Sequence, residues 1–302
     1  MKRVTPSYYD RFQCIADRCQ HTCCVGWEID IDDESVARYR TQSGPLGARL
    51  KAAMHTEDGV TSFSLDKEER CPFLNANGLC DLITALGHDA LCEICATHPR
   101  FRFDYTDRTE WGLGLCCEAA ATLILNDPHP MTLCVEDDGC PDEPTEEEAA
   151  LLRIRDEAFA LVQDRRLSIE EREEALLRRF CAAMPFRTGA AIAALLRPLE
   201  RMDPAWDTML ADIAPLTLTP LDRAYEVAEE HLLCYFLYRQ LPPALDDGCF
   251  AERAALAVLA EYTVRLLTLS GVAFEDAARA FSAEIEYSDQ NIDALLQAMR
   301  RC

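Results

Sequence analysis

Cys14-Ile-Ala-Asp-Arg-Cys19-Gln-His-Thr-Cys23-Cys24-Val-Gly-Trp27 places four thiols within eleven residues. A core builds as well from Leu, Val and Ala, and a free cysteine adds reactivity to its small apolar surface. Thiols this dense point to coordination. Further along come Cys71 and Cys80 across a Gly-containing loop, Cys92 and Cys95 as Cys-x-x-Cys, and Cys116 beside Cys117. Iron-sulfur clusters and zinc each take about four ligands, and soft sulfur suits both. The candidate metal ligands are therefore Cys14, Cys19, Cys23, Cys24, Cys71, Cys80, Cys92, Cys95 and Cys116. His21 and His98 could add nitrogen if the metal is zinc.

Working outward, the chain has 302 residues, 49% of them hydrophobic, which fits two globular cores better than one. Of its 16 cysteines, only Cys181, Cys234, Cys249 and Cys302 lie beyond the acidic, proline-bearing stretch 136–148. The expected organisation is a cysteine-rich metal- or cluster-binding domain over 1–140 and a helical domain over 141–302. The fold class is α+β: a small N-terminal domain of short strands and helices, then an all-α C-terminal domain.

The start Met1-Lys2-Arg3-Val4-Thr5-Pro6 opens no apolar leader, and no apolar run reaches the roughly 18 residues a bilayer span needs. A cytoplasmic location with no membrane partner is expected. In a reducing compartment a disulfide framework is the weaker account of the cysteines. A net charge of -23 repels phosphate backbones, so nucleic-acid binding is disfavoured. The same charge suits a lysine-bearing substrate or serves as a solvated coat.

Locally, residues 4–13 read as an extended lead-in that packs Tyr8, Tyr9 and Phe12 beside the cysteines. Trp27, Ile29 and Ile31 alternate like a half-buried strand, and Asp32 or Asp33 caps a helix through Tyr39. Asn77-Gly78 is a hairpin signal that folds Cys71 back towards Cys80. His88 to Thr97 reads as a helix with Cys92 and Cys95 on one face. Strands are expected over 101–105 and 110–113, and a helix over 117–125. Thr145 with Glu148, and Ser168 with Glu171, fit capping boxes. Further helices are expected at 187–199, 222–240, 247–269, 274–286 and 289–300.

The motifs together resemble the flagellin lysine-N-methylase (FliB) family. They are Phe12-Gln13-Cys14, Cys19, Cys23-Cys24-Val25-Gly26-Trp27, Cys71-Pro72-Phe73-Leu74, Gly78-Leu79-Cys80, Leu91-Cys92, Cys95, Pro99-Arg100 and Leu115-Cys116-Cys117-Glu118-Ala119. Late in the chain, Tyr235-Phe236-Leu237-Tyr238-Arg239 and Glu284-Ile285-Glu286-Tyr287-Ser288-Asp289-Gln290-Asn291 add weaker matches. Two positions depart from the pattern: Cys117 stands where the family has Pro, and Tyr287 where it has His.

The resemblance implies transfer of methyl groups from S-adenosylmethionine to lysines of flagellin, by a protein carrying an iron-sulfur cluster, taken as [4Fe-4S] with zinc as the alternative. For that chemistry a lysine must lose its proton and be placed in line with the methyl. Glu286, Tyr287, Tyr235 and Arg239 are the candidate catalytic residues, with Tyr238 and Asn291 beside them; Tyr235 and Tyr238 would equally serve as helix packing. No glycine-rich nucleotide-binding fingerprint occurs. The rival reading is a metal-binding, electron-transfer or zinc-stabilised interaction protein without methyltransferase activity.

Overall fold

The computed structural model describes residues 1–139 and 142–300. Cys140, Cys302 and the expected boundary at 140 lie outside the described residues. The chain divides into two compact units. Gln13–Phe101 forms the smaller, and Met1–Phe12 with Arg102–Cys302 forms the larger.

The first strand, β1 (Lys2–Pro6), belongs to the larger unit. The smaller unit then runs through α1 (Asp33–Thr41), α2 (Gly44–Ala53), β2 (Met54–Glu57), β3 (Val60–Phe63), α3 (Asp81–Leu86) and α4 (Glu93–Thr97). Asp32 caps α1 by accepting from the Ser35 amide at 2.8 Å, as its position before the helix foretells. Gly47 in α2 is there because the chain doubles back on itself. A Cβ at that position would lie 2.3 Å from the Gln42 carbonyl oxygen. Ile29, Ile31, Val36, Tyr39, Leu50, Phe63, Phe73, Leu82 and Leu91 make the core, with Trp27, Cys71, Cys80 and Cys95 against its edge.

Two expectations shift here. Ile29 and Ile31 are buried on alternate positions, yet the segment forms only a single bridge, Asp30 to Ser62, and no strand ladder. The expected helix 88–97 is broken into a 3-10 turn, His88–Ala90, and α4. The Ala90 carbonyl accepts from the Tyr39 hydroxyl and the Leu91 carbonyl from Arg38, each at 2.8 Å, so neither is left for a continuous helix.

In the larger unit follow β4 (Arg100–Asp104), within which the division falls, then β5 (Arg108–Leu113), α5 (Glu118–Leu125) and β6 (Leu133–Glu136). The helices are α6 (Glu146–Val162), α7 (Ile169–Arg179), α8 (Gly189–Leu196), α9 (Ala205–Ile213), α10 (Glu226–Gln240), α11 (Ala244–Asp247), α12 (Phe250–Leu269), α13 (Phe274–Ile285) and α14 (Asp289–Arg300). Both expected capping boxes are present, Thr145 with Glu148 on α6 and Ser168 with Glu171 on α7.

The four strands form one sheet in the order β4-β5-β1-β6. β1 runs parallel to β5, Lys2 facing Arg108, and antiparallel to β6, Pro6 facing Leu133. The lead-in expected beside the cysteines is therefore a strand of the larger unit, which is not all-α. Residues 102–139, read with the cysteine-rich part, also fold here. Partners more than a hundred residues apart leave no local period for the eye to find. α9 was hidden by Pro204, which opens the helix rather than breaking it. Beneath the sheet, the buried Glu110 and Arg155 pair through both guanidinium amines. α10 and α12 are buried nearly all round, which is why their sequences lack a polar face.

Candidate functional site

In the smaller unit, main-chain bonds gather the thiols. The Cys71 amide donates to the Cys24 carbonyl at 2.8 Å, joining two sequence-distant cysteines. Asn75 Oδ1 accepts from the Asn77 and Leu79 amides at 2.9 and 3.1 Å, and Gly78 supplies the positive φ of +73° that the turn needs. That hairpin ends in a bridge from Leu74 to Cys80. Asp32, having capped α1, also accepts from the Glu93 amide at 2.8 Å and so fixes the start of α4, where Cys92 is the N-cap.

The result is a group of thiols in one another's electrostatic field: Cys24, Cys71, Cys80, Cys92 and Cys95. Cys23 bonds to Cys24 and lowers its thiol to about 7, against the effect of burial. Cys95 does the same for Cys92, also to about 7, and is itself pushed up in return. Burial raises Cys71 to about 11 and raises Cys80. Cys14 is exposed, its Sγ accepting from the Ala16 amide at 3.4 Å, and Cys19 is half-buried. His98 sets its ring edge-on to Trp27 and is held neutral by burial, down to about 4.

Among the described residues every cysteine is a free thiol, and no three Cys, His, Asp or Glu side chains are arranged to hold a single metal ion. A lone tetrahedral zinc draws its sulfurs to about 2.3 Å from one point; a cluster spreads them over a larger body. The donors fit a thiolate-bound group in kind and number, and their spacing does not form a closed single-ion cage.

The larger unit builds a different site. Tyr235 and Arg239 lie one turn apart on α10, and Glu286 and Tyr287 follow the end of α13. Glu286 is the hub. Its Oε2 accepts from the Tyr235 and Ser282 hydroxyls at 2.8 and 2.6 Å. Its Oε1 accepts from Gln240 at 3.1 Å and pairs with Arg239 Nε at 2.8 Å. Tyr235 Oη in turn accepts from the Leu115 amide at 3.2 Å. The next residue, Cys116, donates its thiol to Tyr287 Oη at 3.0 Å, and burial holds that thiol up to about 12. The Arg239 guanidinium lies 5.1 Å from the centroid of the Tyr287 ring, which is 39% exposed.

All four candidate catalytic residues thus meet in one place, and Cys116, grouped by sequence with the metal ligands, sits among them as a protonated thiol in the larger unit. Two neighbours do not join. Tyr238 donates to the Trp111 carbonyl at 3.0 Å, and Asn291 ties the Glu200 and Glu284 carbonyls through its amide nitrogen. Gln240, Ser282 and Arg279 were not read from sequence. Arg279, Ser282 and Glu286 fall at i, i+3 and i+7 on an amphipathic helix, a spacing that could have found them.

Elsewhere in this unit, Arg265 pairs with Glu170, Glu173, Glu229 and Glu261 from α7, α10 and α12. Burial raises Glu173 to about 7 and Glu229 to about 8 and pushes Glu261 up. Among the described residues no helix is long and apolar enough to cross a membrane.

No protein-family model matches the chain. It is 27% identical over 147 residues to a lysine-N-methylase of Salmonella typhimurium, covering 44% of this chain and 35% of that protein. It is 28% identical over 149 residues to the flagellar biosynthetic protein FliU of Salmonella muenchen, covering 44% of this chain and 84% of that one. A lysine-N-methylase of Salmonella choleraesuis is 28% identical over 149 residues, again 35% of its length. The similarity thus spans about a third of each lysine-N-methylase. No solved structure matches.

Proposed function

We propose that this chain is a protein lysine N-methyltransferase that takes methyl groups from S-adenosylmethionine, acts on flagellin, and holds an iron-sulfur cluster with the thiols of its smaller unit. The observation that carries the reading is the meeting of Tyr235, Arg239, Glu286 and Tyr287 around Cys116, in a chain similar to proteins named lysine-N-methylase.

In methyl transfer the lysine nitrogen forms a bond to the methyl carbon as the carbon-sulfur bond breaks, and the electron pair stays on sulfur, leaving a neutral thioether. The nitrogen must first lose its proton. Glu286 is not its acceptor, because four donors already occupy the carboxylate. Its role is to fix Tyr235 and Arg239. The partly exposed Tyr287 is the residue that reaches a substrate: one lone pair of Oη takes the Cys116 thiol, and the other can accept from the lysine amine and orient it. The proton then leaves to water. A bound cluster would lend the smaller unit folding free energy through Cys24, Cys71, Cys80, Cys92 and Cys95.

The test is mass spectrometry of flagellin incubated with the purified chain and S-adenosylmethionine. Added mass in steps of one methylene on lysine is expected; unmodified flagellin in the presence of fully loaded protein overturns the reading. The convergence of thiols in the smaller unit also supports a metal-binding or electron-transfer module with no methyl transfer. Iron, sulfide and zinc measured on anaerobically purified protein separate a cluster from zinc.

A further inference from the structure

Arg279, on α13, is half-buried, and its Nε is sealed from solvent without a hydrogen-bond partner. Among the described residues nothing pairs with its guanidinium. A buried, unsatisfied donor of this kind costs about 1–3 kcal/mol, more when charged. Every other arginine described in this part of the fold is engaged: Arg239 with Glu286, Arg201 with Asp207 and Arg265 with its four carboxylates.

Its surroundings are set by the same contacts that build the Glu286 site. Ser282 and Glu286 lie one and two turns further along the same face. Asp203, Asp276, Glu118 and Cys116 all lie within its electrostatic reach. Glu284 accepts from the Met202 and Asp203 amides at 2.9 and 2.8 Å and so fixes the Asp203 loop to α13. Glu275 accepts from Asn126 at 2.9 Å and fixes α5, which carries Glu118. One cation thus stands among three carboxylates in a rigid frame, next to the Cys116 thiol.

That charge pattern selects its ligand. A phosphate or other multiply charged anion would meet three negative side chains, and a simple cation would meet the guanidinium. An α-amino acid group satisfies both signs: its carboxylate matches the Arg279 fork, and its ammonium matches the carboxylates. A sulfonium on the same molecule adds one further positive charge, which the negative balance favours.

We propose that Arg279, with Asp203, Asp276 and Glu118, forms a binding site for an α-amino acid group, and that the methionine part of S-adenosylmethionine is what it takes. The second half of this statement rests on the methyltransferase reading; the first half does not.

Isothermal titration of the full chain with S-adenosylmethionine, its decarboxylated analogue and free L-methionine tests both halves. Arg279→Met should weaken S-adenosylmethionine roughly 10- to 100-fold, the worth of a charge-assisted pair, and leave the decarboxylated analogue within about twofold. Arg279→Lys should recover part of the loss. Arg279→Met should melt no lower than the wild type, since it removes an unsatisfied donor. If L-methionine binds in an Arg279-dependent way and S-adenosylmethionine does not bind, the amino acid site stands and the methyl-donor assignment falls. The proposal is overturned if the wild type binds none of the three ligands. Equal affinity of Arg279→Met and wild type for S-adenosylmethionine overturns it too, as does equal weakening of both adenosyl ligands in a folded variant.

Discussion

The Glu286 site and the thiol group of the smaller unit treat their polar atoms in opposite ways. Around Glu286 every lone pair of the carboxylate has a donor, and the donors are themselves held by α10, α13 and the Leu115 amide. Around Cys24, Cys71, Cys80, Cys92 and Cys95 the sulfurs lie close, and their only mutual bonds are thiol to thiol within neighbouring pairs. The first arrangement is complete from the chain's own atoms. The second is a set of soft donors whose interactions remain weak until something bridges them. A unit of about ninety residues has a core near the lower limit of self-sufficiency, which makes such a bridge energetically significant.

The largest expected effect tests the thiol half of this contrast. Cys92→Ala or Cys95→Ala should strip bound iron or zinc and sharply reduce soluble yield, because thiolate-held metal contributes on the order of 10 kcal/mol to small domains. Exposed Cys134→Ala should change neither. Full metal content in Cys92→Ala, measured by elemental analysis, would remove that residue from the ligand set.

Next comes the completed site. Glu286→Ala leaves Arg239 buried without its carboxylate and should cost about 3–5 kcal/mol, lowering the melting temperature by roughly 6–20 °C at the rate usual for a domain of 150–250 residues. Glu286→Gln should cost less, since it keeps the shape and one acceptor. Equal melting of Glu286→Ala and wild type would mean that the network does not hold α10 to α13.

A smaller stability effect with a larger functional one is expected at Tyr287. Tyr287→Phe removes one hydrogen bond, about 1 kcal/mol, yet should slow methyl transfer at least ~10-fold if its hydroxyl orients the amine. Tyr287→His should retain activity, as the family resemblance suggests. Wild-type turnover by Tyr287→Phe with flagellin as substrate would take the hydroxyl out of the reaction.

The mildest effect concerns pH and sharpens what completeness means, since the Arg265 cluster is buried but overfilled with carboxylates. Glu173 and Glu229 have folded values near 7 and 8, above the ordinary carboxylate range. Between that range and pH 8 the folded protein therefore binds more protons than the unfolded chain, so its stability falls as pH rises through this window. The groups facing the cluster are Glu170, Glu261, Arg265 and Tyr262. Melting scans from pH 5 to 8.5 should show a decline that Glu229→Gln flattens; an unchanged slope in that variant would assign the decline to other groups.

Much of the local fold was readable. Asp32 capping α1, the boxes at Thr145 and Ser168, and the turn at Asn77-Gly78 are short-range chemistry, decided by residues three or four apart. The helix over 88–97 failed because Arg38 and Tyr39, some fifty residues earlier, capture its carbonyls. The four candidate catalytic residues were named from motif resemblance. Their actual neighbours Gln240, Ser282 and Arg279 carry no motif, and nothing near Cys116 in the chain announces a tyrosine 171 positions later.

By itself the sequence determined where helices start and stop, that the early thiols are too many for packing, and that the chain is strongly acidic; these follow from periodicity, capping and composition. Only the tertiary structure decided that β1 joins the later strands, that Cys116 belongs with Tyr287, and that Glu286 is saturated while Arg279 is not. Those outcomes depend on which distant segments share a buried space. There an unmet hydrogen bond or charge is costly enough to choose the partner, and no local pattern records the choice.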